Sequence, residues 1–423
     1  MDSKEKVVVI GGGFAGINLV KRLDRKRYDV TLVDRNNFHS FPPLFYQVAA
    51  SGLEPASISF PFRREMRKMD NAATYHMGEV KSIDVAGKKV VTRYETIPYD
   101  KLVIATGTTN NFFNMHDLYK RVFTIKSTGE AIRCRNEILD RLERASICRD
   151  DDERKKLLSF TVIGGGPTGV EVAGALGEMK RYILRREYKS IPPEQLVITL
   201  VEGSDRLLHT MSETASRFAL KYLKELSVNV VLKQSMKSYD DNVLTFADGS
   251  SQYSGMVIWT AGVTGDSPEI ENGELPRGAG NRILVDAYNR VEGHDDIFAL
   301  GDIALHCDEM YPRGCPQLAQ VAIQQARNLA KNLNRGMMEN EFSYKDKGSM
   351  ATIGRNRAVA DLKHFQLTGV VAWFVWMFIH LISLLGMRNK LVVLTNWVWA
   401  YFSYPTSLRL LFRPSRYPLR SHQ

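Results

Sequence analysis

Residues 7–16 read VVVIGGGFAG, and residues 160–169 read FTVIGGGPTG. Each begins as a short β-branched run of the kind that forms a buried parallel strand, and each runs into a glycine-rich turn. A helical stretch follows, Ile17 to about Arg25 in the first copy and Val170 to about Glu187 in the second. A second apolar run then ends on an acid, Val30–Val33 at Asp34 and Leu196–Val201 at Glu202. A glycine turn alone says little. It gains weight when it follows a strand, opens a helix and leads to an acid at the next strand end, as both copies do. Gly11 and Gly164 permit the tight turn, Gly13 and Gly166 let the backbone approach a pyrophosphate, and Gly16 and Gly169 let helix and sheet pack closely. The helix start offers unpaired N–H groups and partial positive charge to phosphate oxygens. Asp34, 23 residues after Gly11, is placed to accept hydrogen bonds from ribose hydroxyls. Glu202 comes 38 residues after Gly164, longer than the usual ~20. A longer helix and the Ile191-Pro192-Pro193 loop take up the difference. A carboxylate there repels the 2′-phosphate of NADPH, and Gly203, Ser204 and Asp205 supply no arginine to receive one, so the second site favours NADH.

The two copies lie 153 residues apart, too long a period for a solenoid and suited to a duplicated nucleotide-binding domain. Tyr99–Ala105 and Gly255–Ala261 are further apolar strands, ending in Ala-Thr-Gly (105–107) and Thr-Ala-Gly (260–262). Two dinucleotide sites in one chain imply electron transfer between a flavin and a nicotinamide. The cofactors carry that chemistry and the protein orients them, with the rings stacked at roughly 3–3.5 Å. A chain of 423 residues exceeds one hydrophobic core, and two or three domains are expected. The four cysteines, Cys134, Cys148, Cys307 and Cys315, form no CxxC pair, and the nine histidines show no HxxxH or HExxH spacing, so no metal site is expected. The residues before Val7 leave no room for a cleavable leader, and none is expected.

The chain resembles the two-dinucleotide-binding-domain flavoproteins and, within them, the type II NADH dehydrogenases, from Val7 to about Ser403. Asp34–His39 with Phe41–Ala49, Gly164–Glu171, Ile297–Asp302 and Ala319-Gln320-Val321-Ala322-Ile323-Gln324-Gln325 carry the resemblance. The last is the most specific, since flavin binding in general does not require it. The resemblance implies an α/β fold of two Rossmann-like dinucleotide-binding domains, glutathione-reductase-like, plus a C-terminal amphipathic membrane-anchoring region. Residues 1–125 and 285–345 would bind FAD, 126–284 NADH, and 346–423 a membrane. FAD would be held by Gly11, Gly12, Gly13, Phe14, Ala15, Gly16, Asp34, His39, Val80, Thr106, Gly107, Asp302, Ala319 and Gln320. Asp302 would take the ribitol hydroxyls, and His39 would be structural or near the cofactor rather than catalytic. NADH would be held by Gly164, Gly166, Gly169, Glu202, Ala261 and Gly262. Gln320 and Gln324 suit a quinone site, because an amide donates to a quinone and accepts from a quinol; the plain alternative is a helix with exposed glutamines. Glu171 is either a carboxylate at a helix N-terminus or a residue near both rings that relays protons or shapes the quinone pocket.

Leu362–Gln423 holds no Asp or Glu but seven Lys and Arg residues, out of a net charge of +10. These are interleaved with Trp, Phe, Leu and Val, which favours an anionic membrane over nucleic acid as the partner. Gly369–Leu385 is almost wholly apolar, yet at 17 residues spans only about 26 Å. Helices lying in the membrane interface are expected, with a tilted membrane hairpin and a soluble core or dimer helix as alternatives. The resulting expectation is a peripheral protein on the cytoplasmic face of a bacterial inner membrane, forming a homodimer and passing electrons from NADH to a membrane quinone without proton pumping. Residues 42–47 lack the CxxxxC of the disulfide reductases, which excludes that class. Sulfide:quinone oxidoreductase and a low-turnover NADH-binding flavoprotein are the rivals.

Overall fold

In the computed structural model, residues 4–68, 73–115, 117–403 and 408–411 are described. They form two compact units. The first comprises residues 1–40, 59–111 and 262–347, and the second 41–58, 112–261 and 348–423.

The β-branched opening of the chain makes the central strand of the first unit. Glu5–Ile10 lies between Tyr28–Asp34 and Lys101–Ile104, with Ala73–Met77 and Ile297–Ala299 at the two edges, all parallel. Val7, Val8 and Val9 are buried, as expected where both faces of a parallel sheet are covered. The helix Phe14–Val20 connects the first two strands, and Ala319–Arg335 packs against it. On the other face Val8, Ile10, Val33, Leu102 and Ile104 pack with Ile83, Val90 and Ile283. The strand Val80–Asp84 belongs to a second sheet with Lys89–Thr92, Thr96–Pro98 and Glu269–Glu271.

The second unit repeats the plan. Ser159–Ile163 lies between Val197–Val201 and Met256–Trp259, with Asn229–Val231 outside, again all parallel. The helix Pro167–Glu178 leaves the first of these strands with proline in its first turn, where the missing N–H costs nothing. An antiparallel sheet, Ser349–Gly354, Arg357–Leu362 and Phe365–Thr368, packs on that helix. Contact is close because Gly174 has no side chain: a β-carbon there would stand 2.2 Å from the Ile353 carbonyl oxygen.

These units differ from the sequence-based boundaries in four places, one being that residues 112–125 fall in the second unit. Residues 262–284 join the first unit, because Val263–Gly265 pairs with Thr108–Asn110, Glu269–Glu271 with Val80–Asp84, and Arg282–Val285 with Ala304–His306. Residues 41–58 leave it as an excursion between Phe38–Ser40 and Ser59–Pro61, which pair with each other. Residues 348–423 are grouped with the second unit rather than standing apart.

The chain then forms two helices, Gly369–Ser383 and Met387–Ser403. The second is longer than its Leu391–Tyr401 apolar run suggested. Each buries part of its surface, through Ala372 and Trp376 and through Val393 and Trp397. Each also exposes large apolar groups, among them Phe374, Phe378, Ile382, Leu391, Trp399 and Phe402. Among the described residues, no helix is long and apolar enough to cross a membrane. Arg413, Arg416 and Arg420 of the basic tail lie outside the described residues.

The Gly174 contact is testable. Gly174→Val should destabilise the protein by about 1–3 kcal/mol or more, seen as a lower calorimetric midpoint. Gly129→Ala, where the nearest atom is 4.0 Å away, should be neutral or slightly stabilising.

Candidate functional site

The two glycine turns have the same internal construction. At the first, Gly11 has φ of +97° and donates its N–H to Val33 O at 2.8 Å. A β-carbon at Gly11 would stand 2.4 Å from the Ala105 oxygen, and one at Gly16 1.9 Å from the Gly11 oxygen. Over Gly13 there is open space. Asp34 closes the turn from the end of its strand: Oδ2 accepts the Gly12 N–H at 2.6 Å and Oδ1 the Asn36 N–H at 2.7 Å. Burial raises its carboxyl above the ordinary value, against the pull of those two donors.

At the second turn, Gly164 has φ of +107° and donates to Val201 O at 2.8 Å. A β-carbon at Gly169 would stand 1.8 Å from the Gly164 oxygen, and Gly166 faces open space. Glu202 takes the part of Asp34, accepting the Gly165 N–H and, at 2.7 Å, the Ser204 N–H. Burial raises the Glu202 carboxyl, but its N–H donors outweigh burial and hold it below the ordinary range. It is therefore charged at neutral pH. Ala261 backs this turn, its N lying 2.9 Å from the β-carbon position of Gly164. Gly262 opens the next segment of the first unit with φ of +80°.

Other candidates gather around the first turn. His39 is buried and its Nδ1 lies 2.9 Å from Gly12 O. A carbonyl only accepts, so Nδ1 carries the proton, and the buried Nε2 has no partner. Burial pushes this imidazole down to about 4, so it is neutral. Phe14 meets it edge-on at 5.4 Å. Thr106 Oγ1 is also buried without a partner, beside Gly107, whose β-carbon position is open. Asp302 lies in the turn Gly301–Ile303, 3.5 Å from Thr108 Oγ1. Gly301 lies close to two helices, its β-carbon position being 3.3 Å from the Ala322 methyl and 3.4 Å from the Ala15 methyl. Val80 begins the strand Val80–Asp84 of the second, mixed sheet. The open space over Gly13 and Gly107 and the two orphaned polar atoms fit a bound dinucleotide.

The glutamines read as quinone contacts are already engaged. Gln324 exchanges two bonds with the Lys345 backbone, Nε2 to O at 2.9 Å and N to Oε1 at 3.1 Å. Gln320 accepts the Lys347 N–H at 3.1 Å and reaches Asp346 at 3.5 Å. Both hold residues 345–347 against the helix that Ala319 begins. Gln325, not singled out from sequence, is fully buried and accepts the Gly301 N–H at 2.7 Å. It locks the Asp302 turn. Its signal was the 3–4 spacing that places it on the buried stripe with Val321, Ala322, Ala326 and Leu329.

Glu171 belongs to a cluster in the second unit. It is buried just past the first turn of Pro167–Glu178, with the Thr352 N–H 3.4 Å from Oε1. Burial pushes its carboxyl up to about 8, against the pull of Thr352 and the Trp376 indole. Trp376 stacks on His380 at 4.1 Å and lies 6.3 Å from Tyr46 and 5.8 Å from Trp397. Gln47 ties the group together, donating to the Tyr46 hydroxyl at 2.7 Å and accepting the Trp397 indole N–H at 2.9 Å. Sequence spacing could not reveal this cluster, whose members come from residues 46–47, 171 and 376–397.

The family model for pyridine nucleotide-disulphide oxidoreductases matches residues 5–326, and the NDH2 C-terminal domain model matches residues 347–403. The chain is 33% identical, over 95% of its length and 89% of the relative's, to the type II NADH:quinone oxidoreductase Ndh of Mycobacterium tuberculosis. The chain belongs to the type II NADH:quinone oxidoreductases. An internal alternative NAD(P)H-ubiquinone oxidoreductase of Arabidopsis thaliana is 29% identical over 94% of the chain and 84% of its own length. Among solved structures, NDH2 from Plasmodium falciparum in complex with NADH has a TM-score of 0.89 at 23% identity, covering 97% of this chain and all of that one. A sulfide:quinone oxidoreductase from Aquifex aeolicus shares the fold at a TM-score of 0.72.

The buried Glu171 sets a pH dependence. Its folded value near 8 exceeds the ordinary 4.5, so the folded protein holds a proton that the unfolded chain releases. Its contribution to stability is complete below about 4.5 and falls as pH rises toward 8. Glu171→Gln should flatten the decline of the melting midpoint between pH 5 and 8 and raise the midpoint at pH 8.

Proposed function

We propose that the chain oxidises NADH through tightly bound FAD and passes two electrons to a membrane quinone, without pumping protons. Support comes chiefly from the repeated cradle, two glycine turns each closed by a strand-end carboxylate, in a chain of this family. FAD, when bound, supplies a two-electron carrier that accepts hydride from NADH and delivers electrons to a quinone. The residues around Gly11–Gly16, with Asp34, His39, Val80, Thr106, Gly107, Asp302, Ala319 and Gln320, would hold it. Gly164, Gly166, Gly169, Glu202, Ala261 and Gly262 would hold NADH. Glu202, kept charged by its own loop, accepts from the ribose hydroxyls and repels a 2′-phosphate.

Reduction of a quinone by NADH consumes one proton. Glu171 is suited to hold it: burial keeps the carboxyl neutral at pH 7, and with Oε1 accepting the Thr352 N–H the proton resides on Oε2. The aromatic wall of Tyr46, Trp376, His380 and Trp397 excludes water from this acid. Because Gln320 and Gln324 brace residues 345–347, their part at the quinone requires that these bonds be exchanged or that they position the Asp302 turn. The sulfide rival is disfavoured by Cys134, whose thiol burial pushes up to about 12, leaving it protonated and a poor nucleophile.

The apolar faces of Gly369–Ser383 and Met387–Ser403 would lie in the headgroup region of an anionic membrane, where a quinone is dissolved. The cytoplasmic face of a bacterial inner membrane and a homodimer complete this reading.

Three measurements check it. NADH added anaerobically should bleach the flavin absorbance, and a short-chain quinone should restore it. Glu202→Ala should raise the KM for NADH roughly tenfold or more, the cost of one charged hydrogen bond, change kcat less, and narrow the preference over NADPH. Replacing Phe378, Trp399 and Phe402 together by serine should abolish flotation with anionic vesicles while leaving bleaching by NADH intact; flotation unchanged would remove these faces from the membrane.

A further inference from the structure

Beyond the dinucleotide and quinone chemistry, the first unit contains a group of donors that neither uses. The strand Ala304–His306 runs along Arg282–Val285, and the chain returns from Asp308 to Cys315, whose N–H donates to His306 O at 2.9 Å. That return places His306, Asp308 and Cys315 together, each with one ligand atom within 4.8 Å of the others. His306 and Cys315 are buried and Asp308 is half-buried, at the mouth of the group. The sequence spacing, one residue and then six between donors, matches no familiar metal pattern, so the sequence alone indicated no metal.

The histidine carries the argument. His306 is 2% exposed. Its Nδ1 lies 3.2 Å from the Asp286 carbonyl oxygen, which can only accept, so Nδ1 carries the proton. In the neutral imidazole the lone pair is on Nε2, which is buried without a hydrogen-bond partner. It faces the Asp308 carboxylate, with Oδ2 at 3.8 Å, beyond hydrogen-bond reach. A buried polar atom left unpaired is costly, and a bound cation would satisfy both groups. A backbone carbonyl on the far nitrogen is the usual way a metal-binding imidazole is oriented and its tautomer set. Phe342 packs edge-on to the ring at 5.2 Å and fixes its plane.

We propose that His306 Nε2, Cys315 Sγ and the Asp308 carboxylate bind one divalent cation of borderline softness, with Zn2+ the fitting ion. A nitrogen, a thiolate and a carboxylate are the donors zinc takes. In a tetrahedral site these atoms stand about 3.3–3.6 Å apart, so the group needs to close by only about 1 Å. Binding displaces the Cys315 thiol proton, and the resulting thiolate and carboxylate balance the charge of the ion. Arg282 acts on Cys315 from nearby but is occupied with the Ala304 and Cys315 carbonyl oxygens at 2.6 and 3.0 Å. The fourth position goes to water or to the exposed thiol of Cys307, next in sequence to His306. Three protein donors and one open position make the site able to exchange its ion.

The test uses the full-length, FAD-loaded protein without an affinity tag. It is titrated with Zn2+ by calorimetry and with Co2+ by absorbance between 550 and 700 nm (on the order of the tetrahedral d–d range), clear of the flavin. One ion per chain is expected, with intense tetrahedral Co2+ bands. Cys315→Ser should remove those bands. Asp308→Asn, at the partly exposed donor where folding is least at risk, should weaken Zn2+ at least as much as loss of an outer partner, roughly 10–100-fold. Cys307→Ser separates the two choices for the fourth position and, in either case, should leave binding by the other three. The proposal is overturned if Zn2+ binds Asp308→Asn as tightly as it binds the unaltered protein, if no stoichiometric binding occurs, or if Cys307→Ser alone abolishes it. Flavin content and bleaching by NADH, measured on each variant, distinguish loss of the metal site from loss of the fold.

Discussion

Two carbonyl oxygens occupy the space where β-carbons would otherwise lie. At Gly16 and Gly169 a side chain would come within 1.9 and 1.8 Å of the oxygens of Gly11 and Gly164, so the helix can begin directly above the end of its strand only because these residues have no side chain. Everything functional follows from that closeness. It turns the helix start toward the end of the sheet and leaves open space over Gly13 and Gly166. It also brings the middle glycine N–H within reach of the acid at the next strand end. In both copies that acid first braces the turn, so the carboxylate is positioned before any ligand arrives.

The two acids nevertheless differ. Burial dominates at Asp34 and raises its carboxyl, whereas the donors around Glu202 outweigh burial and lower it. The two copies of one plan thus leave their acids in different settings, one dominated by burial and the other by its N–H donors. Glu171, a short way along the second helix, is a third carboxyl with yet another setting. It has a single long backbone donor and aromatic neighbours, and its neutrality at pH 7 results from that dry environment rather than from sequence position. A sulfide:quinone oxidoreductase shares the fold, and in this chain Cys134 is sealed in a core.

The C-terminal helices raise a related question of balance. Among the described residues no helix is long and apolar enough to cross a membrane, yet large apolar groups remain exposed on these two. Their inner faces are tied by specific contacts, Trp397 to Gln47 and Trp376 to His380. The same tryptophans therefore serve packing and the acid cluster, while Phe378, Trp399 and Phe402 stay exposed.

From sequence alone, the paired strand–turn–helix units, their acids, the duplication and the apolar basic tail were legible. Each depends on local rules: periodicity, glycine at tight turns, an acid at a fixed offset. Domain boundaries and side-chain groupings were not. Residues 262–284 join the first unit because strands far apart in sequence pair there. Gln320 and Gln324, singled out as quinone contacts, bond to residues 345–347, and Gln325, quoted in the same motif without a role, accepts the Gly301 N–H next to Asp302. The acid cluster and the His306–Asp308–Cys315 group have no periodic signature, because their members meet only once loops and helices have folded back. Local chemistry is written in the order of residues; partners are chosen by packing, and only the tertiary structure reveals which polar atoms are already satisfied and which are left waiting.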